Sequence, residues 1–184
     1  MPTDRAIIRK ESAVYAQVLL EAAKASGTVF EVAEQLEQAY ALIRRNIELR
    51  ISLFDRGIPT ETRIAIIDEV FAGFDAALLA MLGVMVRRDN LGLLNKVVAR
   101  FVEAAEEVLN AVFIDVTTVV ALDDVLRDLI KAKYSAQFGR DVLLREHIDS
   151  TIMGGIVLSS HGISIDASVA SQLENARVVL SQSR

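Results

Sequence analysis

Cysteine is absent from the 184 residues of the chain, and tryptophan is absent as well. The first absence excludes disulfide bonds and thiol chemistry. Aromatic residues make up only 5% of a chain that is 52% hydrophobic, so a core must consist mainly of Ala, Val, Leu and Ile. Two prolines and nine glycines leave little room for a turn-rich β architecture. The composition therefore predicts a mainly helical protein.

A basic region is also missing from the chain. Residues 1–110 carry 13 Lys and Arg against 16 Asp and Glu, residues 111–184 carry 7 against 9, and the net charge is −5. The sequence therefore lacks the basic region that is typical of nucleic-acid-binding proteins. No apolar run approaches the roughly 20 residues that cross a bilayer, and the first residues lack the pattern of a signal peptide. We expect a soluble protein that reaches a membrane only through a partner.

Helical periodicity covers the first 110 residues. In the first helix, Val14, Tyr15, Val18 and Leu19 recur at helical spacing, and further apolar residues widen this surface beyond one face. The six predicted helices cover about 6–26, 28–44, 46–54, the residues that follow Pro59, 76–86 and 91–111.

The fifth predicted helix has no charged residue from Ala76 to Val86. A helix that is apolar on all sides is buried on all sides, or it is buried on one side and covered by a partner on the other. The first interpretation makes it a central core helix. The second makes it part of a groove that accepts a partner helix.

Near Val112 the pattern changes from helical to β. Residues 113–120 are rich in β-branched residues and predict a strand. A helix follows, with Asp123 as its cap and Phe138-Gly139 at its end. Residues 142–147 predict a further strand, which is followed by a hairpin. The inward residues of the helix are predicted to be Val125, Leu126, Leu129, Ile130 and Tyr134. A last helix has a narrow apolar stripe of Val169, Leu173, Ala176 and Leu180.

These segments together predict an α+β fold that is mainly α. An N-terminal six-helix bundle is expected over residues 1–110, and a small β-α-β-β-α C-terminal unit over residues 111–184.

The two histidines, His147 and His161, are the candidates for catalysis or metal binding, with Asp149 between them. Their spacing fits no metal-ligand pattern such as H-E-x-x-H. The G-x-S-x-G, G-x-x-x-x-G-K-[ST] and G-x-G-x-x-G motifs are all missing. The sequence therefore predicts no catalytic residue, no metal site and no cofactor.

The most informative stretch runs from Ile148 to Ser168. It reads as a strand with Gly154-Gly155 at its start, a Ser-Ser-His-Gly turn, and a second strand that stops at a helix cap, either Asp166 or Ser168. A double glycine in a strand suggests a bulge or the close approach of another backbone.

This stretch resembles the C-terminal motif of the F-type ATP synthase delta subunit family, to which the mitochondrial oligomycin-sensitivity-conferring protein belongs. Met153 stands where the family has Ile, and Ala167 where it favours Gly. The residues that match the motif are Asp149, Gly154, Gly155, Ile156, Gly162, Ile165, Asp166 and Ser168.

The resemblance implies a non-catalytic subunit of the peripheral stalk, which holds the catalytic head against the torque of the rotor. It implies that the first and fifth helices form a groove for the N-terminal helix of the alpha subunit, and that the C-terminal unit binds the b subunit. It places the protein at the cytoplasmic face of the bacterial plasma membrane, as part of the complex. The candidate groove residues are Tyr15, Leu19, Leu78, Met81, Leu82 and Met85.

Two alternatives come from other functional classes. An RNA-binding helical bundle of the antitermination type would share the six helices, but it needs a basic face that the charge balance does not supply. A small hydrolase would use His147, Asp149 and His161, and would lose its activity when His147 is replaced by Ala.

Overall fold

The computed structural model describes residues 4–150, 152, 154–160, 163–169, 171–173 and 177. The chain divides into two compact units, Met1–Leu109 and Asn110–Arg184. The boundary predicted from the sequence lies one residue later, after residue 110.

The first unit is helical throughout its regular structure. A short 3₁₀ turn, Leu91–Leu93, precedes its last helix. Local signals set several helix ends: the Asn46 side chain accepts a hydrogen bond from the N–H of Leu49 at 3.0 Å, and Gly27 ends the first helix with a φ of +74°. The helices are α1 Asp4–Ser26, α2 Val29–Arg45, α3 Ile47–Phe54, α4 Thr60–Val70, α5 Ala76–Arg87 and α6 Leu94–Leu109.

The core of this unit lies where α6 packs against α1 and α2, and where α5 packs against α4 and α1. Each helix contributes apolar side chains at helical spacing, so burial of these faces is the main stabilising contribution. The largest fully buried side chains here are Leu19, Leu36, Leu53, Ile67, Phe71, Leu78, Leu82, Met85 and Phe101.

The described residues of the second unit form a small mixed sheet covered by one helix. Its elements are β1 Ala111–Thr118, α7 Asp124–Phe138, β2 Asp141–Ile148, β3 Gly155–Ser160 and β4 Ile163–Ser168. Strands β1 and β2 run parallel because α7 crosses over between them, whereas β1 pairs antiparallel with β3 and β3 with β4. The order across the sheet is β2-β1-β3-β4.

The strand count corrects the predicted β-α-β-β-α order. The described residues of this unit form four strands, because both arms of the hairpin join the sheet as β3 and β4. The predicted helix ends are present: the Asp123 carboxylate accepts a hydrogen bond from the N–H of Leu126 at 2.7 Å, and Gly139 ends α7 with a φ of +66°.

The set of α7 residues that are buried also differs from the prediction. Ile130 and Tyr134 are buried against the sheet, but Val125, Leu126 and Leu129 are exposed. One helix on a four-stranded sheet buries only the side that contacts the strands, which is narrower than the apolar row in the sequence. The core cluster consists of Val112, Ile114, Val116, Leu122, Ile130, Tyr134 and Val142.

Beyond β4, residues 169, 171–173 and 177 are helical. Of the predicted stripe of the last helix, Val169 and Leu173 are exposed, and Ala176 and Leu180 lie outside the described residues.

Candidate functional site

The double glycine lies against the backbone at the end of β4. Gly154 and Gly155 have φ values of +145° and +88°, which favour glycine. The carbonyl of Gly154 accepts a hydrogen bond from the N–H of Val169 at 3.0 Å. A Cβ on Gly155 would lie 2.5 Å from the carbonyl oxygen of Ala167. The predicted close approach of another backbone is therefore present.

Asp166 and Ser168 organise the chain after β4. The Asp166 carboxylate accepts a hydrogen bond from the backbone N–H of Ser168 at 2.8 Å. Hydrogen bonds from the side chain and the backbone of Ser168 hold the pKa of the Asp166 carboxyl below its usual range. The Ser168 hydroxyl in turn accepts from the N–H of Ser171 at 3.2 Å, as an N-cap does. Of the two predicted caps, Ser168 is the one that caps the helical residues.

Two further motif residues, Asp149 and Ile156, also have structural roles. The N–H of Asp149 donates to the carbonyl of Thr118 at 2.9 Å, and Ile156 packs against the core cluster. Ile165 is exposed, and Gly162 lies outside the described residues. The motif therefore builds the β3–β4 hairpin and its exit.

His147 is part of an ionic cluster on the face of the sheet opposite α7. The guanidinium of Arg145, a residue 5% exposed, binds both carboxylate oxygens of Asp115, with N–O distances of 2.9 Å, and lies 5.2 Å from the centre of the Phe113 ring. His147 Nε2 lies 3.4 Å from the same carboxylate. Burial opposes ionisation of Asp115, but the hydrogen bond to His147 and the charge of Arg145 outweigh it, so the pKa of this carboxyl is lowered.

This cluster does not resemble a catalytic site. The carboxylate that approaches His147 is Asp115, whereas the hydrolase alternative named Asp149 and His161, and His161 lies outside the described residues. Within the described part of the chain, no group of three or more His, Asp or Glu side chains could hold a metal ion. Arg145 and Asp115 form an ion pair beside His147, which is the arrangement of a structural contact.

A cleft of about 80 Å³ opens between α7 and the sheet. Its lining carries no charged side chain, which makes it suited to an apolar group rather than to an ionic ligand. The lining residues are Ile114, Tyr134, Gln137, Phe138, Leu158, Ser159, Ser160 and Ile165.

The six residues predicted for the helix groove are all buried within the chain. Their exposed fractions lie between 0% and 8%, so they form the packed sides of α1 and α5. These residues are Tyr15, Leu19, Leu78, Met81, Leu82 and Met85.

The same two helices present other apolar residues to solvent. On α1, Ile7, Val14 and Val18 are exposed, at i, i+7 and i+11. On α5, Val84 is exposed, and so is Ala80 one turn before it. The helices contact each other. The signal for these surface residues was an apolar row wider than one helix face. The candidates predicted from that row were its larger members, which face the core.

A second apolar stripe lies on α7. Val125, Leu129, Ala132 and Ala136 are exposed and lie at i, i+4, i+7 and i+11, which places them on one side of the helix. No described residue covers this stripe.

Among the described residues, every helix is too short or too polar to cross a bilayer. The fold and the exposed surfaces define the class of protein. It is a mainly helical protein with a small mixed sheet, and its surface carries apolar helix stripes typical of a binding subunit.

Comparison with known proteins identifies the family. Residues 12–180 match the family described as ATP synthase delta (OSCP) subunit. The chain is 31% identical over 170 residues to ATP synthase subunit delta of Prochlorococcus marinus (strain MIT 9301), covering 91% of this chain and 94% of that one. It is 30% identical over 162 residues to the subunit delta of Rhodopirellula baltica, covering 87% and 71%.

A solved structure has a similar fold. A chain of the Toxoplasma gondii mitochondrial ATP synthase hexamer matches with a TM-score of 0.52 at 15% identity, covering 92% of this chain and 96% of that one. The chain belongs to the ATP synthase delta (OSCP) subunit family. It is a structural, non-catalytic subunit of the peripheral stalk.

Proposed function

We propose that this chain links the catalytic head to the membrane-anchored b subunit, with the alpha subunit bound by the first unit and the b subunit by the second. In this proposal α1–α6 act as one six-helix bundle, and the protein lies at the cytoplasmic face of a bacterial plasma membrane. A tether that resists rotor torque needs slow dissociation from two separate sites, and buried apolar area on each unit supplies it.

The observation that carries the alpha-subunit assignment is the exposed row of Val14 and Val18 on a helix that contacts α5. Side chains at i and i+4 with their apolar groups in water match the anchor spacing of helix recognition. Beside them, the exposed residues of α5 from Ala76 to Val84 are uncharged, so a partner helix can approach closely. The buried set around Leu82 supports this surface from below.

Calorimetric titration of the full-length protein with a synthetic peptide of the alpha-subunit N-terminus tests this assignment. We expect one peptide per chain, a negative heat-capacity change, and at least tenfold weaker binding to a Val18→Glu variant. Val108→Glu is the matched control, because Val108 is an exposed apolar residue on α6. The assignment would be overturned if folded wild-type protein did not bind the peptide, or if Val18→Glu bound it as tightly as wild type.

The exposed stripe of α7 supports the b-subunit assignment. Leu129 lies at its centre and is more than half exposed, and such a row on a unit of this size is typical of a binding surface. Binding of the C-terminal part of the b subunit should weaken at least tenfold in Leu129→Glu. Val120→Glu is the control, since Val120 is an exposed apolar residue of the same unit that lies outside α7. Unchanged binding by Leu129→Glu in a folded protein would contradict the choice of α7.

A further inference from the structure

The short helix α3 presents apolar side chains on its outward side. Leu49 and Leu53 are buried in the first unit, whereas Ile47 and Ile51 are both 60% exposed and Phe54 is 47% exposed. The exposed three lie at i, i+4 and i+7, nearly opposite the buried two on the helix circumference. Residues Ile47, Ile51 and Phe54 are called the α3 face below. They form a row of large apolar groups that remain exposed among the described residues.

Positive charge is concentrated in the segment of the chain that contains the α3 face. Residues 42–56 contain four arginines against two acidic residues, in a chain whose net charge is −5. All four arginines are exposed. Arg44, Arg45 and Arg50 form no ion pair with any described residue, while Arg56 lies 3.4 Å from the carboxylate of Asp89. Local charge of this sign favours an acidic partner.

A polar cleft adjoins the α3 face at Phe54. It has a volume of about 100 Å³, and Arg56, Arg63 and Asp89 contribute to its lining together with Phe54. Arg63 is 5% exposed, and its Nε is buried without a hydrogen-bond partner among the described residues. The cleft therefore extends the apolar row into a region with two guanidinium groups and one carboxylate.

We propose that the α3 face binds an amphipathic helix of another subunit of the complex, with carboxylates beside its apolar side. Its apolar residues pack on Ile47, Ile51 and Phe54, its carboxylates pair with Arg44, Arg45 and Arg50, and a polar side chain enters the cleft beside Arg56. The α3 face shares no residue with the Val14 and Val18 row. The inference rests on the proposed function only in that the partner belongs to the same complex.

The charges favour this occupant over two others. A symmetric contact between two copies of this chain would bring the same arginines together across the interface, which is repulsive. An anionic lipid surface would attract the arginines, but the α3 face offers only three large apolar residues on an eight-residue helix, which is little area for insertion.

The first test measures binding of full-length protein to an ATP synthase complex reconstituted without this subunit. Ile51→Glu and Arg50→Glu should each bind at least tenfold more weakly than wild type, and wild-type binding should weaken as salt rises. Val108→Glu is the control that should bind as wild type does. Circular dichroism and a denaturation curve show that each variant is folded, which is expected because both positions are exposed.

The second test uses the absence of cysteine. An Ile51→Cys variant carries one thiol, which a benzophenone maleimide labels at a single site. Illumination of the reconstituted complex should cross-link it to a helix of another subunit that has acidic residues beside its apolar side. Cross-links to a second copy, to lipid, or to nothing would overturn the proposal. Phosphatidylglycerol vesicles that bind wild type but not Ile51→Glu would also overturn it.

The failures of the two proposals are distinguishable. If wild type binds neither the alpha-subunit peptide nor the depleted complex, the proposed function fails. If wild type binds both, and Ile51→Glu and Arg50→Glu bind both equally well, only the α3 proposal fails. If both variants keep the peptide and lose the complex, the α3 face is a contact of its own.

Discussion

Gly155 lies in direct contact with the backbone of Ser168: a Cβ at position 155 would be 2.7 Å from the Cα of Ser168. The two residues are paired in the antiparallel register of β3 and β4. Neither backbone can retreat without breaking the pairing, and the φ of Gly155 is +88°. The position is therefore restricted to glycine for two independent reasons, conformation and space.

Gly155→Ala should destabilise the second unit more than a glycine substitution that is strained in conformation alone. Gly139→Ala is the matched control, because Gly139 also has a positive φ but nothing lies within 4 Å of its added Cβ. The control should lose about 1–2 kcal/mol in the free energy of unfolding, and Gly155→Ala distinctly more. Urea denaturation of both variants measures this. Equal losses would show that the contact with Ser168 relaxes without cost.

The ionic cluster at Asp115 predicts a dependence of stability on pH. Asp115→Asn removes the carboxylate from a guanidinium that is 5% exposed, which should cost about 3–5 kcal/mol at neutral pH. The folded-state pKa of Asp115 is lowered from a reference of 3.8. Its stabilisation is therefore present above the unfolded-state pKa and is lost as pH falls through the lower folded-state value.

The measurement is the difference in unfolding free energy between wild type and Asp115→Asn, followed from pH 7 downward. We expect the difference to persist from neutral pH into the mildly acidic range and to shrink only below the reference pKa of 3.8. Asp124→Asn is the control: Asp124 pairs with Arg127 in an exposed contact, so its removal should have little effect. A difference that vanished already near pH 6 would contradict the assignment of this dependence to Asp115.

Helix ends were predictable because their signals are local. Asp123 and Gly139 bound α7 as the sequence indicated, since a cap needs only the residue and the adjacent backbone. The hairpin was also predictable from its glycines and its turn. The order of the strands in the sheet was not predictable, because strand pairing depends on contacts between segments that lie far apart in the chain.

Burial within an apolar row was less predictable than the row itself. Val125 and Leu129 were predicted from the sequence to be buried, but they are exposed. Burial depends on the width of the sheet surface that the helix packs against. Arg63 and Arg145 are buried although arginine is normally exposed. Their carboxylate partners lie 26 and 30 residues away along the chain. No local sequence pattern could therefore indicate that these arginines are buried.

The six predicted groove residues likewise belong to apolar rows, and the sequence did not show that they are buried. Leu82, one of them, allows a test of this burial. Leu82→Ala should cost about 2–5 kcal/mol, because Leu82 is fully buried and the truncation leaves a cavity. Val84→Ala on the same helix should change stability by no more than about 0.5 kcal/mol, because Val84 is exposed. Thermal or urea denaturation checks both. A smaller loss of unfolding free energy in Leu82→Ala would mean that α5 is less tightly packed than the structure indicates.

Arg56 and Arg63 share the carboxylate of Asp89, and they differ in burial. Arg63 lies 3.1 Å from it with a side chain that is 7% exposed, and Arg56 lies 3.4 Å from it with a side chain that is 79% exposed. Arg63 also donates to the hydroxyl of Thr60 at 3.3 Å. Arg63→Ala should therefore lose about 2–3 kcal/mol of unfolding free energy.

Arg56→Ala is the matched control for Arg63→Ala, and it should lose no more than about 1 kcal/mol, as exposed ion pairs do. Raising the salt concentration should reduce the small effect of Arg56→Ala and leave the larger one nearly unchanged, because buried pairs are screened less. If both losses were equal and both were abolished by salt, the guanidinium of Arg63 would be acting as a surface charge, and the packing of α4 against α3 and α5 would need another explanation.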